Sequence, residues 1–445
     1  MANRFKTPRG TKDILPAEMS KWHFLESHLR KVFSKYNFSE IRTPAFEDTE
    51  LFARGIGQTT DIVQKEMYTL TDKGGRSYTL KPEMTASVMR SYLEHHLGDY
   101  RRIQKLYYIS PMFRQEKPQA GRFREFYQYG IEIIGTDNYL ADVETITLSV
   151  EVLHLLGIKE IKVKLNSVGC NSCRPKYKEV LKSNLKNILS ELCGDCQNRY
   201  HTNPLRILDC KKENCNRLTK DIPAIFEYLC HECKDHFDNV RKYLDYNNLQ
   251  YMIDKKLVRG LDYYTKTAFE IQSNQLGSQD SIVGGGRYDY LAEEIGGQSV
   301  PAVGFAAGMD RLLTVLQKLQ LFPEFDNRVD LYFIGLGEDA LKWVFKKANE
   351  LRRNGLVCEY DYLNRSLKAQ MREANKFNSQ FVLIVGDNEI ASKTVILKEM
   401  NTGDQETVPF NSLDQVILGK KTIKSHPCLH QDDSSNDFQS SVKNI

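Results

Sequence analysis

The chain has 445 residues, 41% hydrophobic and 27% charged, with a net charge of +4, the profile of a globular protein long enough for two or three domains. No apolar run approaches the length of a membrane span, and the start, MANRFKTPRGTKDILP, lacks the apolar core of a signal peptide. The expectation is a cytoplasmic protein with no membrane partner and with reduced thiols. The net charge is too small to argue for nucleic acid, so an RNA partner has to be recognised through local surfaces.

The first ordered signal follows a turn-rich, cationic segment with Lys6, Arg9 and Lys12 beside Gly10. Apolar residues recur at helical spacing from Ala17 to Tyr36 with no Pro or Gly between them, which predicts a helix with a buried face. A strand from Phe38 to Thr43 is expected to stop at Pro44, at a sheet edge or interface. The strand from Ser77 to Leu80 runs into Lys81-Pro82-Glu83-Met84-Thr85, where Pro82 suits a first helical turn, and the helix is expected to reach about His96. Glu83 then lies at a strand end, where ligands of a sheet commonly meet.

Between Lys105 and Gly135 two β-rich runs flank a polar middle containing Pro118 and Gly121, the pattern of a long hairpin. Arg114, Glu116, Arg122 and Arg124 cluster at its mouth. Gln128 and Glu132 lie four apart on the return strand and so share a face. Guanidinium forks at one end and a carboxylate at the other suit a nucleotide and an amino acid lying end to end. An exposed hairpin with solvated charges is the plain alternative.

From about Asn166 to Asp254 the chain becomes helix-rich and carries eight of its ten cysteines, as the pairs Cys170 and Cys173, Cys193 and Cys196, Cys210 and Cys215, and Cys230 and Cys233. In reduced surroundings this spacing suits two tetrahedral, structural thiolate zinc sites; buried cysteines packing as small hydrophobes are the alternative. A strand-like run, KLVRGLDYYTKTAFEI, crowds Arg259, Asp262, Tyr263 and Tyr264 around Gly260. SIVGGGRYDYL follows, and then PAVGFAAGMDRLLTVL, a small-residue strand entering an amphipathic helix near Gly308 with Arg311 in its first turn. Beyond a linker at residues 321–328, strands and helices alternate, which argues for an α/β domain with a mainly parallel sheet. Its second helix shows Arg365, Lys368, Arg372 and Lys376, either a basic face for RNA phosphates or a solvated one. Residues 425–445 are rich in Ser, Asp, Asn and Gln and are expected to be disordered.

Together these stretches resemble a class II aminoacyl-tRNA synthetase, and within that class the bacterial histidyl-tRNA synthetase family, up to about Lys421. The helix and strand ending at Pro44 look like the first class motif, Phe113-Arg114 to Glu132 like the second, and Gly308-Met309-Asp310-Arg311 like the third. Leu257 to Tyr264 and Gly284-Gly285-Gly286-Arg287-Tyr288-Asp289 look like stretches particular to the histidyl family. Lys81 stands where the family commonly has Arg, and Met84 where it often has Gly.

The resemblance implies an α+β fold: a class II catalytic domain over residues 1–325 with a six-stranded antiparallel sheet flanked by helices, interrupted by a cysteine-rich helical insertion at 170–254, and an anticodon-binding α/β domain at 329–421. It implies a homodimer formed through the first motif, and tRNA(His), L-histidine, ATP and Mg2+ as partners. Glu83, Met84 and Thr85 would receive the α-ammonium end of histidine, and Gln128, Glu132, Tyr263 and Tyr264 its imidazole. Arg114 and Arg259 would flank the α-phosphate and histidine carboxylate as catalytic residues. Glu116, Arg122, Phe126 and Arg311 would complete the ATP site, with Phe126 on adenine and Arg311 on the γ-phosphate. No editing domain is expected, because a site that hydrogen-bonds the substrate side chain discriminates strongly without one. The rival is a non-catalytic paralogue that binds histidine and regulates the first histidine-biosynthetic enzyme; such paralogues tend to lose the guanidinium groups and the C-terminal domain, all present here. A zinc-stabilised RNA-binding protein leaves the catalytic-site residues unexplained, and no Walker loop ending in Gly-Lys-Ser/Thr supports a P-loop ATPase.

Overall fold

The computed structural model describes residues 5–58, 60–117, 122–276, 281–325 and 328–420. Pro118 and Gly121 of the hairpin loop and the C-terminal tail lie outside them. The chain divides into two compact units, Met1–Phe322 and Pro323–Ile445.

The first unit is built on an eight-stranded sheet. Its order is Ser39–Glu40, Gln104–Phe113, Glu125–Ile134, Ala302–Gly308, Ser281–Arg287, Thr265–Gln272, Lys162–Ser167 and Met252–Ile253. The six inner strands are antiparallel throughout, and each two-residue edge strand runs parallel to its neighbour. The sheet thus contains the six expected antiparallel strands plus two short edges. The expected strand from Phe38 to Thr43 shrinks to Ser39–Glu40. Phe38 is buried, and the Thr43 carbonyl instead accepts from Lys81 Nζ at 3.3 Å.

Strand alternation sorts the two faces. One presents Tyr107, Tyr129, Ile131, Ile133, Val163, Leu165, Phe269, Ile271, Val303 and Phe305 to the main core. Helices cover that face. Pro16–Lys35 starts on a proline whose missing N–H is not needed there, and buries Trp22, Leu25, Leu29, Val32 and Phe33. Each such side chain contributes about 1.5–3 kcal/mol by leaving water. Tyr139–Leu155 packs against His231–Tyr246, and Met309–Lys318 supplies Leu312, Val315 and Leu316. Phe237, Val240 and Leu244 of His231–Tyr246 belong to this core, so the last helix of the cysteine-bearing segment is part of the sheet's support.

The opposite face carries a different set. At matching register lie Tyr108 and Ser110, then Gln128, Gly130 and Glu132, then Gly304, Ala306 and Gly308, then Gly284 and Gly286, then Ala268 and Glu270. At each of two levels three adjacent strands have glycine or alanine: Gly130, Ala306 and Gly284 at one, and Gly304, Gly286 and Ala268 at the other. This face therefore has a trough, bordered by a second core in which Leu106, Tyr108, Ile134, Ala268 and Ala302 pack with Met84, Val88 and Tyr288.

The second unit has a five-stranded sheet in the order Cys358–Tyr360, Leu331–Gly335, Phe381–Val385, Thr394–Glu399, Gln405–Pro409. Its first three strands are parallel and the last two antiparallel, so the sheet is mixed rather than mainly parallel. The last strand, QETVP, is mostly exposed and shows no apolar alternation to announce it. On the expected basic helix face, Arg365 pairs with Asp361 and Glu373, and Lys376 with Glu373; Lys368 and Arg372 remain exposed. Among the described residues no helix is long and apolar enough to cross a membrane.

Candidate active site

The trough exists because side chains from its rim need the room. A Cβ at Gly304 would meet Glu132 Oε2 at 1.9 Å, and one at Gly284 would meet Arg259 Nη2 at 1.7 Å. At Gly130 it would meet the Phe305 carbonyl at 2.3 Å and the Tyr108 hydroxyl at 2.4 Å. The glycines of VGGGR thus lie in a strand and give the Arg259 guanidinium its place.

One end of the trough is acidic and enclosed. Glu132 is 1% exposed. Its Oε1 accepts from Thr85 Oγ1 at 2.8 Å and its Oε2 from the Tyr288 hydroxyl. Burial pushes its pKa up to about 8; the Tyr288 and Thr85 hydrogen bonds oppose that shift and nearby Glu83 adds to it. Glu83 accepts from the backbone N–H of Thr85 and of Ala86, each at 2.9 Å, and from the Tyr263 hydroxyl at 3.3 Å. It therefore caps the helix Thr85–Glu94 while standing in the same pocket, and burial raises its pKa as well. The rings of Tyr263 and Tyr264 lie 4.8 Å apart, with Tyr288 at 5.6 Å from Tyr263. Gln128 Oε1 is buried with no hydrogen-bond partner among the described residues.

The other end is cationic. Arg114 lies over the Phe126 ring at 5.3 Å, donates to the Pro82 carbonyl at 2.8 Å, and stands 3.6 Å from Glu116. Arg122 pairs with the same carboxylate at 2.9 Å. Arg311 donates to the Ser281 carbonyl at 2.8 Å; burial and the charge of Arg122 lower its pKa. Arg259 is paired with Glu270 at 2.7 Å, and its Nε has no hydrogen-bond partner among the described residues. Arg124 does not join this group: it reaches the carbonyls of Glu116 and Arg9 and fastens the N-terminal segment. Met84 is buried with its sulfur on the Thr43 hydroxyl at 3.4 Å.

A pocket with buried carboxylates and tyrosines at one end and four guanidinium groups at the other accommodates an amino acid beside a polyphosphate. The comparisons agree with that chemistry. Residues 10–312 match the family model for histidyl-tRNA synthetase, and 330–420 that for an anticodon binding domain. The chain belongs to the histidyl-tRNA synthetase family. It is 49% identical to a histidine–tRNA ligase of Caldanaerobacter subterraneus over 93% of this chain and 99% of that one. The crystal structure of apo S. aureus histidyl-tRNA synthetase aligns with a TM-score of 0.78 at 38% identity, over 93% of this chain and 99% of that one. A Bacillus halodurans protein described as an ATP phosphoribosyltransferase regulatory subunit/histidyl-tRNA synthetase aligns at 22% identity, with a TM-score of 0.62, over 86% and 98%; it shares the fold. As a member of its family the chain is an ATP-dependent aminoacyl-tRNA ligase.

Sequence reasoning missed Tyr288 and Glu270 as partners of Glu132 and Arg259, and the glycine row that admits them. The signal was the small residues at every second position of AVGFAAG and in VGGG.

The eight cysteines also resolve into two groups. Cys170, Cys173, Cys230 and Cys233 gather in one, Cys193, Cys196, Cys210 and Cys215 in the other, and within each all sulfurs lie within 4.8 Å of one another. The second group is nested inside the first along the chain. All eight are free thiols.

Proposed function

We propose that the trough activates L-histidine with ATP and passes it to tRNA(His). A histidine carboxylate oxygen attacks the α-phosphorus of ATP, taken as its magnesium complex, and pyrophosphate leaves. A hydroxyl of the terminal tRNA ribose then attacks the carbonyl of histidyl-adenylate, and AMP leaves. The observation that carries this reading is the polarity of the trough, acidic and tyrosine-lined at the Glu132 end and guanidinium-lined at the Arg114 end.

In this reading the histidine ammonium lies by Glu83 and Thr85. Its imidazole meets Gln128 and Glu132, with Tyr263 and Tyr264 closing the walls, and the unpartnered Gln128 Oε1 supplies an acceptor for a ring N–H. A wrong side chain leaves those buried groups unpaired, which costs discrimination factors of ~10⁴. Phe126 faces the adenine, Arg122 and Arg311 hold the outer phosphates with Glu116 orienting Arg122 and Arg114, and Arg114 and Arg259 flank the α-phosphorus. Fixed forks there stabilise charge that grows in the transition state without having to reorganise.

Both cysteine groups fit zinc. Each offers four sulfurs, and each has backbone N–H groups aimed at sulfur, as from Cys230 to Cys173 at 3.1 Å and from Cys193 to Cys215 at 3.3 Å. Such donors stabilise thiolates, and four thiolates close a tetrahedral site with no open position for chemistry. Elemental analysis is expected to find two zinc ions per chain.

We also assign the enzyme as a homodimer joined around the first motif, where Phe46 and Leu70 are more than half exposed on a three-stranded sheet of Phe46–Asp48, Ser77–Leu80 and Tyr68–Thr71; sedimentation equilibrium tests that mass. The central test is histidine-dependent exchange of pyrophosphate into ATP. Exchange with histidine alone among the amino acids is the expected result, and histidine binding without exchange would instead identify a regulatory paralogue.

A further inference from the structure

The nested cysteine group stands beside the loop that carries Arg259. Residues 197–209 lie between its two cysteine pairs, and three of their side chains leave the insertion. Arg206 Nη1 donates to the Arg259 carbonyl at 2.8 Å. Asn203 Nδ2 donates to Asp262 Oδ1 at 2.8 Å. Arg199 pairs with Asp61 at 2.9 Å. The first two contacts bracket Gly260, whose Cβ position lies 3.4 Å from Arg206 Nη1. The backbone that aims Arg259 is therefore held from outside by this segment.

Apolar burial anchors the middle of the segment and leaves its flanking helices lightly held. In the helix Gly194–Thr202 only Cys196 is buried, and in Glu213–Leu218 only Cys215. Short helices that bury one small side chain each do not hold a fixed place by apolar burial. Between them Pro204, Ile207 and Leu208 are buried, Ile207 and Leu208 in the same apolar cluster as Cys196, Cys210 and Cys215. Four sulfurs on one ion would tie both ends of residues 197–209 together.

We infer that the Cys193–Cys196–Cys210–Cys215 site is a positioning centre for adenylate formation, acting on Arg259 through Arg206 and Asn203. This rests on zinc occupying the site. Arg206 touches no reacting atom; it fixes the carbonyl of the residue that does, and a misplacement of about 1 Å at such a group costs ~10²-fold in rate.

The experiment compares the full-length wild type with Arg206→Ala, Arg206→Lys, Asn203→Ala and Cys210→Ser, measuring zinc per chain, pyrophosphate exchange and thermal midpoint together. Arg206→Ala is expected to keep two zinc ions and lose about 10–100-fold in kcat for exchange, with KM for histidine and ATP nearly unchanged, because Arg259 acts on the transition state. Arg206→Lys should recover part of the rate, since an ammonium can still donate to the carbonyl. Cys210→Ser should hold one zinc and show the same kcat loss. Full exchange activity in Arg206→Ala and Asn203→Ala would overturn the positioning role whatever the metal content. A zinc-free wild type in which Arg206→Ala still loses kcat would sink the metal's part and keep the contact from Arg206 to Arg259. A loss confined to KM, or one that follows the thermal midpoint and is not relieved by lysine, would reduce Arg206 to a structural contact.

Discussion

Glu132 shows how the fold sets the chemistry of one side chain. Enclosed by Thr85, Tyr288 and the bare backbone of Gly304, it holds a proton up to a pKa of about 8, against 4.5 for an ordinary glutamate. Between those values the folded chain binds a proton that the unfolded chain releases. Stability therefore falls as pH rises through that window, and the contribution is lost above the folded value. Glu132→Gln keeps the shape and cannot ionise. Urea midpoints of the ligand-free enzyme at pH 5, 6.5 and 8 should fall less steeply for Glu132→Gln than for wild type, and parallel slopes would show that Glu132 is not the group responsible. Arg259 makes the complementary case, because its partner Glu270 leaves Nε without a hydrogen bond among the described residues. Arg259→Lys retains charge without the fork, and adenylate formation should drop by ~10²–10³. Transfer from preformed adenylate should suffer much less. Rapid quench of the two half-reactions separates these, and equal losses in both would contradict the assignment.

Elements were legible in the sequence in proportion to how strongly their own residues specify them. The helix from Ala17 to Tyr36 is found at Pro16–Lys35, and the strand Ser77–Leu80 where its pattern put it, because apolar periodicity and proline act locally. Of the two β-rich runs of the hairpin, Phe126 to Ile134 is found almost as it reads, at Glu125–Ile134, whereas Leu106 to Ile109 grows to Gln104–Phe113 because pairing over ten partners extends it beyond what its own residues announce. The strand Gln405–Pro409 was invisible because its partner, and not its composition, makes it a strand. Among site residues, the sequence showed the charged groups and hid their neighbours, which come from strands far apart in the chain. The glycine row follows from those neighbours, and it gives an element-scale prediction. Gly304→Ala forces a methyl group to within 1.9 Å of Glu132 Oε2 and 2.3 Å of the Ile131 carbonyl, so the carboxylate and the strand that carries it must move. KM for histidine should rise by ~10-fold or more while KM for ATP changes little. An unchanged histidine KM would mean that Glu132 does not meet the amino acid.

At the scale of the whole molecule, the trough proposed for adenylation and the surface expected to read the anticodon fall in different units. Every trough residue named above precedes Phe322, and the match to an anticodon binding domain begins at residue 330. Each unit has its own apolar core. In the second, Leu331, Phe333, Val344, Leu351, Phe381, Leu383, Val395 and Leu397 pack together, with Trp343 stacked on Phe410 at 4.4 Å. Among the described residues each core is made of side chains of its own unit, which is what independent folding requires. A chain ending at Phe322 should therefore still exchange pyrophosphate in a histidine-dependent way. Its kcat/KM for tRNA should fall sharply, because contacts far from the reacting ribose supply binding energy that positions it. The pair of measurements is what discriminates. Loss of exchange alongside charging would mean that the second unit supports the trough itself, whereas undiminished tRNA kcat/KM would remove the second unit from tRNA recognition.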